Sequence, residues 1–181
     1  MLPSELQRVQ RVLVIDLEVN QVTSLSPTLK HLKQVLPGVL TTLLCAPEAS
    51  ESALLLPEVD QILLHRSLKN ISNTLSCDPA SSLELIQILK SEQFDAAILL
   101  SHGQSPYPLG YLCYLAEIPI RVGMSQEFGG GVLSHWINPI EHNEECDRNL
   151  WLLKSVGLTN LIVVNRDHGA IKLEKLDSSR R

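Results

Sequence analysis

At 181 residues, 44% of them hydrophobic and 19% charged, the chain is long enough to bury a sizeable core and reads as one soluble globular domain with a short tail. A formal charge of −5 and a pI near 5.6 come with no concentrated basic face, which excludes a nucleic-acid partner; Ser178-Ser179-Arg180-Arg181 is too short to supply one. No apolar run reaches the roughly 18 to 20 residues that span a bilayer, and the N-terminus lacks the parts of a signal peptide, so a cytoplasmic location is expected.

Residues 1–10 read as an extension. "RVLVI" at 11–15 is a short β-branched run suited to a strand buried on both faces. Leu25, Leu29, Leu32 and Leu36 then recur at helical spacing, with Ser26-Pro27 to cap and open the helix and Pro37-Gly38 to stop it. "VLTTLLCA" (39–46) predicts the second strand, "SESALLL" a short helix, and "QILLH" (61–65) the third strand.

Arg66 to Pro79 is mostly polar and is expected to be a surface loop or insertion. Ser81-Ser82-Leu83-Glu84 fits a capping box, and Leu85, Ile86 and Leu89 supply the buried face of the helix it would open. "FDAAILL" (94–100) predicts a strand, "LGYLCYLAE" (109–117) a helix and "IRVGM" (120–124) another strand. Leu150, Leu153 and Val156 mark a helix over 146–156 that Gly157 ends. "LIVVN" (161–165) is the last strand, and "AIKLEKL" (170–176) either pairs with it or runs out as a tail.

Strands alternating with helices predict a mainly parallel sheet covered on both sides, here a Rossmann-like three-layer α/β/α sandwich over residues 11–165, with 166–181 as tail or final strand. Cys45, Cys77, Cys113 and Cys146 form no C-x-x-C pair; they read as reduced thiols, with Cys45 and Cys113 in the core.

In such sheets ligands bind beyond the carboxyl ends of the strands, which directs attention to Asp16–Gln21, Ser101–Pro108 and Ser125–His135. The first turn has no glycine, so it is neither a dinucleotide fingerprint nor a P-loop. Gly129-Gly130-Gly131 lacks the lysine and Ser/Thr that a phosphate cradle needs, and reads as a surface loop. His102, Gln104 and Ser105 follow a strong strand and can hydrogen-bond a polar ligand, as can Ser125 and Glu127. His135 and His142 with Glu144, Glu145 and Cys146 match no zinc spacing, and no metal or cofactor is expected. No Gly-x-Ser-x-Gly elbow is present.

"RVLVIDL…VTSLSPTLKHLKQVLPG", "LLLPEVDQIL", "FDAAILL", "YLCYLAEIPIRVG" and "DRNLWLLKSVGL", in that order over residues 11–158, resemble the N-terminal half of glycosyltransferase family 9, the lipopolysaccharide heptosyltransferases. The resemblance implies one half of a GT-B fold, the side that holds a sugar or glycolipid acceptor. The partners it implies are a donor-domain protein or a second copy of the chain, and it allows a peripheral position at the inner face of the membrane. The family's first turn ends in Gly-Asp, the aspartate being the expected base; here Asn20-Gln21 falls at that place. An amide cannot take a proton near neutral pH, so Gln21 is no base, and Asp16 and Glu18 stand nearby as weak substitutes. Little or no transferase activity is therefore expected of the isolated chain.

Overall fold

The apolar run that opens the domain forms β1 (Arg11–Asp16), and it lies in the middle of the sheet rather than at an edge. The structure, a computed structural model, describes residues 8–16, 22–66, 68, 79–100, 105–126, 131–139, 145–158, 163–167 and 170–174. After β1 come α1 (Ser26–Val35), β2 (Leu40–Cys45), the single turn α2 (Ser50–Ala53), β3 (Gln61–Leu64), α3 (Pro79–Ser91), β4 (Ala96–Leu100), α4 (Tyr107–Leu115), β5 (Ile120–Met124), β6 (His135–Ile137) and α5 (Glu145–Ser155). The first six strands make one sheet in the order β3-β2-β1-β4-β5-β6, and every pairing in it is parallel.

Alternation along each strand builds the two cores. Val12 and Val14 of β1, with Leu43, Ile98 and Val122, face the layer of α1 and α5, where Leu25, Leu29, Leu32, Leu152 and Leu153 are buried. Leu13 and Ile15, with Leu44, Ala97 and Leu99, face α3 and α4 through Leu85, Leu89, Leu109 and Cys113. Each fully buried leucine is worth about 1.5–3 kcal/mol by transfer, which is why strands buried on both faces read as unbroken apolar runs. The expected three-layer Rossmann-like α/β/α fold is the fold that forms.

Several helix starts differ from their sequence signals. A 3-10 turn, Val22–Leu25, leads directly into α1, so Ser26 does not cap it and instead donates to the Glu58 carboxylate at 3.3 Å. Pro79 opens α3, which puts Ser81 inside the first turn and not at a capping box; proline suits that place because its missing N–H would have had no intrahelical partner. Gly38 and Gly157 both take positive φ, +82° and +91°, and stop their helices as expected.

The larger difference lies after β5. At His135, where the expected loop ends, a sixth strand begins that the sequence did not announce: β6 pairs parallel with β5 from Val122↔His135 to Met124↔Ile137. Parallel neighbours usually need a crossover of a dozen residues or more, most often a helix. The described part of 125–134 contains no helix. Leu133 fills the space a helix would cover, packing in the α3/α4 core at 5% exposure. Glycines make room for it: a Cβ on Gly110 would stand 2.9 Å from Val132 and one on Gly123 would stand 3.3 Å from Leu133.

Arg121, the one charged residue of β5, fixes that crossover. Its guanidinium donates to the carbonyls of Val132 (2.5 Å), Gly131 (3.3 Å), Pro119 (3.0 Å) and Ile118, and its amide donates to Ser134 Oγ at 2.7 Å. Beyond α5, β7 (Val163–Asp167) pairs antiparallel with β8 (Ala170–Glu174) in a separate two-stranded sheet, so the "AIKLEKL" segment pairs with the strand before it.

Candidate functional site

The strand order reverses between β1 and β4, and the crevice beside such a reversal, at the carboxyl ends, is where ligands bind in this architecture. Asp16 closes β1 opposite Leu100, the last residue of β4, so the turns that leave these two strands start side by side. Register extends the same row outward, through Cys45↔Leu64 on one side and Met124↔Ile137 on the other.

Asp16 is 2% exposed. Two steps along the strand from Val14, it belongs to the α1/α5 face and is shielded from the rim's solvent side. Its charge is felt by Cys45: burial first, and then the Asp16 carboxylate, push that thiol up to about 11. Cys45 is therefore a neutral thiol at physiological pH and no nucleophile. Thr28, in the first turn of α1, and Asn149, on α5, are buried polar residues of that same layer; Thr28 Oγ1 and Asn149 Nδ2 have no hydrogen-bond partner among the described residues.

On the other side of the reversal, Ser125 follows β5 and is 2% exposed. Its amide donates to Ile137 O at 2.9 Å and its hydroxyl donates to Tyr107 Oη at 3.1 Å. Tyr107 is the first residue of α4, two positions beyond the exposed Ser105. The connection into α4 and the end of β5 are thus tied together at their bases, which brings Ser105 and Ser125 to one part of the rim. Glu18, Gln21, His102, Gln104 and Glu127 lie outside the described residues, as do His142 and Glu144.

Of the remaining singled-out groups, His135 begins β6 with its Nδ1 2.9 Å from Ser134 Oγ. Cys113 is fully buried against α4's neighbours; burial raises its thiol to about 12, with the Arg121 charge pulling slightly the other way. Gly131 takes φ +86° with open space around the missing side chain, as a turn glycine does, and its carbonyl is one of those held by Arg121. Tyr107 and Arg121 were the residues that sequence reasoning passed over. For Arg121 a signal existed, a lone cation inside an otherwise apolar strand, whereas Tyr107 in "SPYP" offered none.

No family model matches the sequence, and no curated protein matches it either. Solved structures do match. A glycosyl transferase family 9 protein from Veillonella parvula aligns with a TM-score of 0.66 at 18% identity, over 86% of this chain and 43% of its own. The E. coli heptosyltransferase WaaC, solved with ADP-2-deoxy-2-fluoro heptose, gives 0.62 at 15% identity over 84% of this chain and 50% of its own. The E. coli ADP-heptose lps heptosyltransferase II gives 0.58 at 14% identity, over 79% and 39%. At these identities the likeness establishes a shared fold, in agreement with the resemblance seen in the sequence. The chain spans half or less of the length of the structures it matches.

Proposed function

We propose that the chain is the acceptor-side half of a heptosyltransferase-like glycosyltransferase, holding a sugar or glycolipid acceptor at the carboxyl rim of its sheet. The single observation that carries this is the fold: a six-stranded parallel sheet that aligns over most of its length with three such transferases while covering half of them or less. A nucleotide-sugar donor would then be held by a second unit, either a separate donor-domain protein or another part of a longer polypeptide. Among the described residues no helix is long and apolar enough to cross a membrane.

Little or no transfer is expected from these 181 residues alone. Asp16 is the described carboxylate nearest the first turn, and its burial keeps it from an acceptor hydroxyl, which a general base must approach to within hydrogen-bond reach. Gln21 cannot take a proton, and Glu18 is left as the other carboxylate in that turn. The same burial of Asp16 favours a second reading, a non-catalytic module that binds a ligand or a partner through the rim.

The test mixes the purified chain with ADP-heptose and a heptose-accepting glycolipid, with and without the donor-binding half of a family 9 transferase. Acceptor binding without turnover by the chain alone is the expected result, and turnover that appears only when the donor half is added would assign the base to Glu18. Turnover by the chain alone overturns the proposal of an inactive half. Absence of acceptor binding in both mixtures favours the interaction module.

A further inference from the structure

At the end of the sheet opposite the rim, a groove of about 400 Å³ opens beside the start of β5, lined by Tyr114, Leu115, Glu117, Ile118, Pro119 and Arg121. Its size falls within the roughly 300–1,000 Å³ usual for small-molecule sites. Its lining combines an exposed aromatic residue, apolar side chains and an arginine that is 8% exposed.

The state of that guanidinium is the informative point. An arginine carries five N–H donors. Four bonds to the carbonyls of Val132, Ile118, Pro119 and Gly131 leave one N–H, on Nη2, unused. The Tyr114 ring lies 5.3 Å from the guanidinium carbon, a favourable contact that neutralises nothing. Among the described residues no carboxylate pairs with Arg121. Glu117 lines the same groove, but it is held by Lys90 in an ion pair, so those two charges cancel. The groove therefore carries a net positive charge on a chain whose total is −5. Fixing the crossover accounts for the four carbonyl bonds; it leaves the charge without a counter-ion where field lines are concentrated by low-dielectric walls.

We infer that this groove is a binding site for a small organic anion, one carboxylate or phosphate monoester on a flat apolar body, with the anion against Arg121 and the body against Tyr114 and Leu115. The site is independent of the rim, and nothing in the proposed function requires it.

Titration calorimetry of the full chain with benzoate and with phenyl phosphate tests the inference, with benzyl alcohol as the neutral control. Binding of either anion, weakening as salt is raised, is expected, and the two anions separate a carboxylate preference from a phosphate one. Arg121 also supports the fold, so two variants on the groove wall carry the test. Glu117→Gln removes the opposing carboxylate and frees Lys90, and should tighten anion binding about threefold. Tyr114→Ala should weaken it by a similar factor. No binding of either anion at about 10 mM, equal binding of benzyl alcohol, or an affinity unmoved in Glu117→Gln overturns the inference.

Discussion

Arg11 and Asp95 are bonded in both directions: the Arg11 amide donates to Asp95 Oδ2 at 2.8 Å, and the Asp95 amide donates to Arg11 O at 3.0 Å. The same carboxylate oxygen accepts the Gln10 amide at 2.8 Å. One aspartate thereby sets the register of the two central strands one residue before their ladder begins at Val12↔Ala96. Asp95→Ala should cost about 1 kcal/mol, because it removes the acceptor of one exposed and one part-buried amide that water can only partly replace, whereas Asp95→Asn should cost less since its amide oxygen still accepts. Denaturant midpoints of the two variants check the order.

Asp60 plays a similar part for β2. Its carboxylate accepts the Thr41 amide at 2.6 Å and the Lys33 ammonium at 2.5 Å. Burial alone would raise its pKa, but the hydrogen bonds from Lys33 and Thr41, with the Lys33 charge, outweigh it and hold the carboxyl below its ordinary value. A depressed folded pKa means that the unfolded chain binds the proton more readily. The contribution is therefore present above the ordinary carboxylate range and is lost as pH falls through the lowered value. The side chain is 40% exposed, so after solvent screening the effect is under about 1 kcal/mol. Asp60→Asn should lower stability in the neutral region by up to that amount and leave the strongly acid region little changed, so the acid limb of a stability-versus-pH curve flattens.

The two buried thiols act at the other end of the pH scale. Cys45 and Cys113 stay protonated in the folded chain to about 11 and about 12, above the ordinary thiol value of 9.0. A raised pKa stabilises below the unfolded value, so stability should fall as pH climbs from 9 towards 11. At pH 8 neither thiol should react with a thiol reagent until the chain is unfolded. Site-resolved mass spectrometry checks this, and fast native labelling of Cys45 would refute it.

Gly110 sits in α4 where alanine would raise helix propensity by about 1 kcal/mol. Its Cβ, however, would stand 2.9 Å from a methyl of Val132, which is β-branched and slow to yield, and 3.2 Å from Leu133. Overpacking of this kind costs about 1–3 kcal/mol, so Gly110→Ala should destabilise overall. Adding Val132→Ala should restore part of the loss, a coupling that a double-mutant cycle measures directly.

Physical reasons separate what could be read in the sequence from what could not. The strands of the sheet centre were legible because burial on both faces demands unbroken apolar runs such as "RVLVI" and "AAILL". The α1 stripe was legible because Leu25, Leu29 and Leu32 all reach zero or near-zero exposure on one face. β6 was not: three residues at a sheet edge, half-exposed, leave no periodic trace. Nor could the sequence show that Asp16 points inward or that Ser125 is engaged by Tyr107. Both facts follow from the register and pleat of neighbouring strands, which local pattern does not encode.

The placement of the aromatic residues has a practical consequence for any spectroscopic study. Both tryptophans of the chain lie late in the main domain, Trp136 on the edge strand β6 and Trp151 on α5, the helix packed beside α1, and both are about half open to water, at 53% and 42%. Intrinsic fluorescence will therefore watch the β6 edge through Trp136 and the α1/α5 layer through Trp151. If the short β6 strand opens before the β1–β4 centre, as its single neighbour in the sheet favours, the part of the emission change that comes from Trp136 will run ahead of the loss of circular dichroism. An apparent intermediate in such data would then be the signature of an edge with its own, lower, local stability.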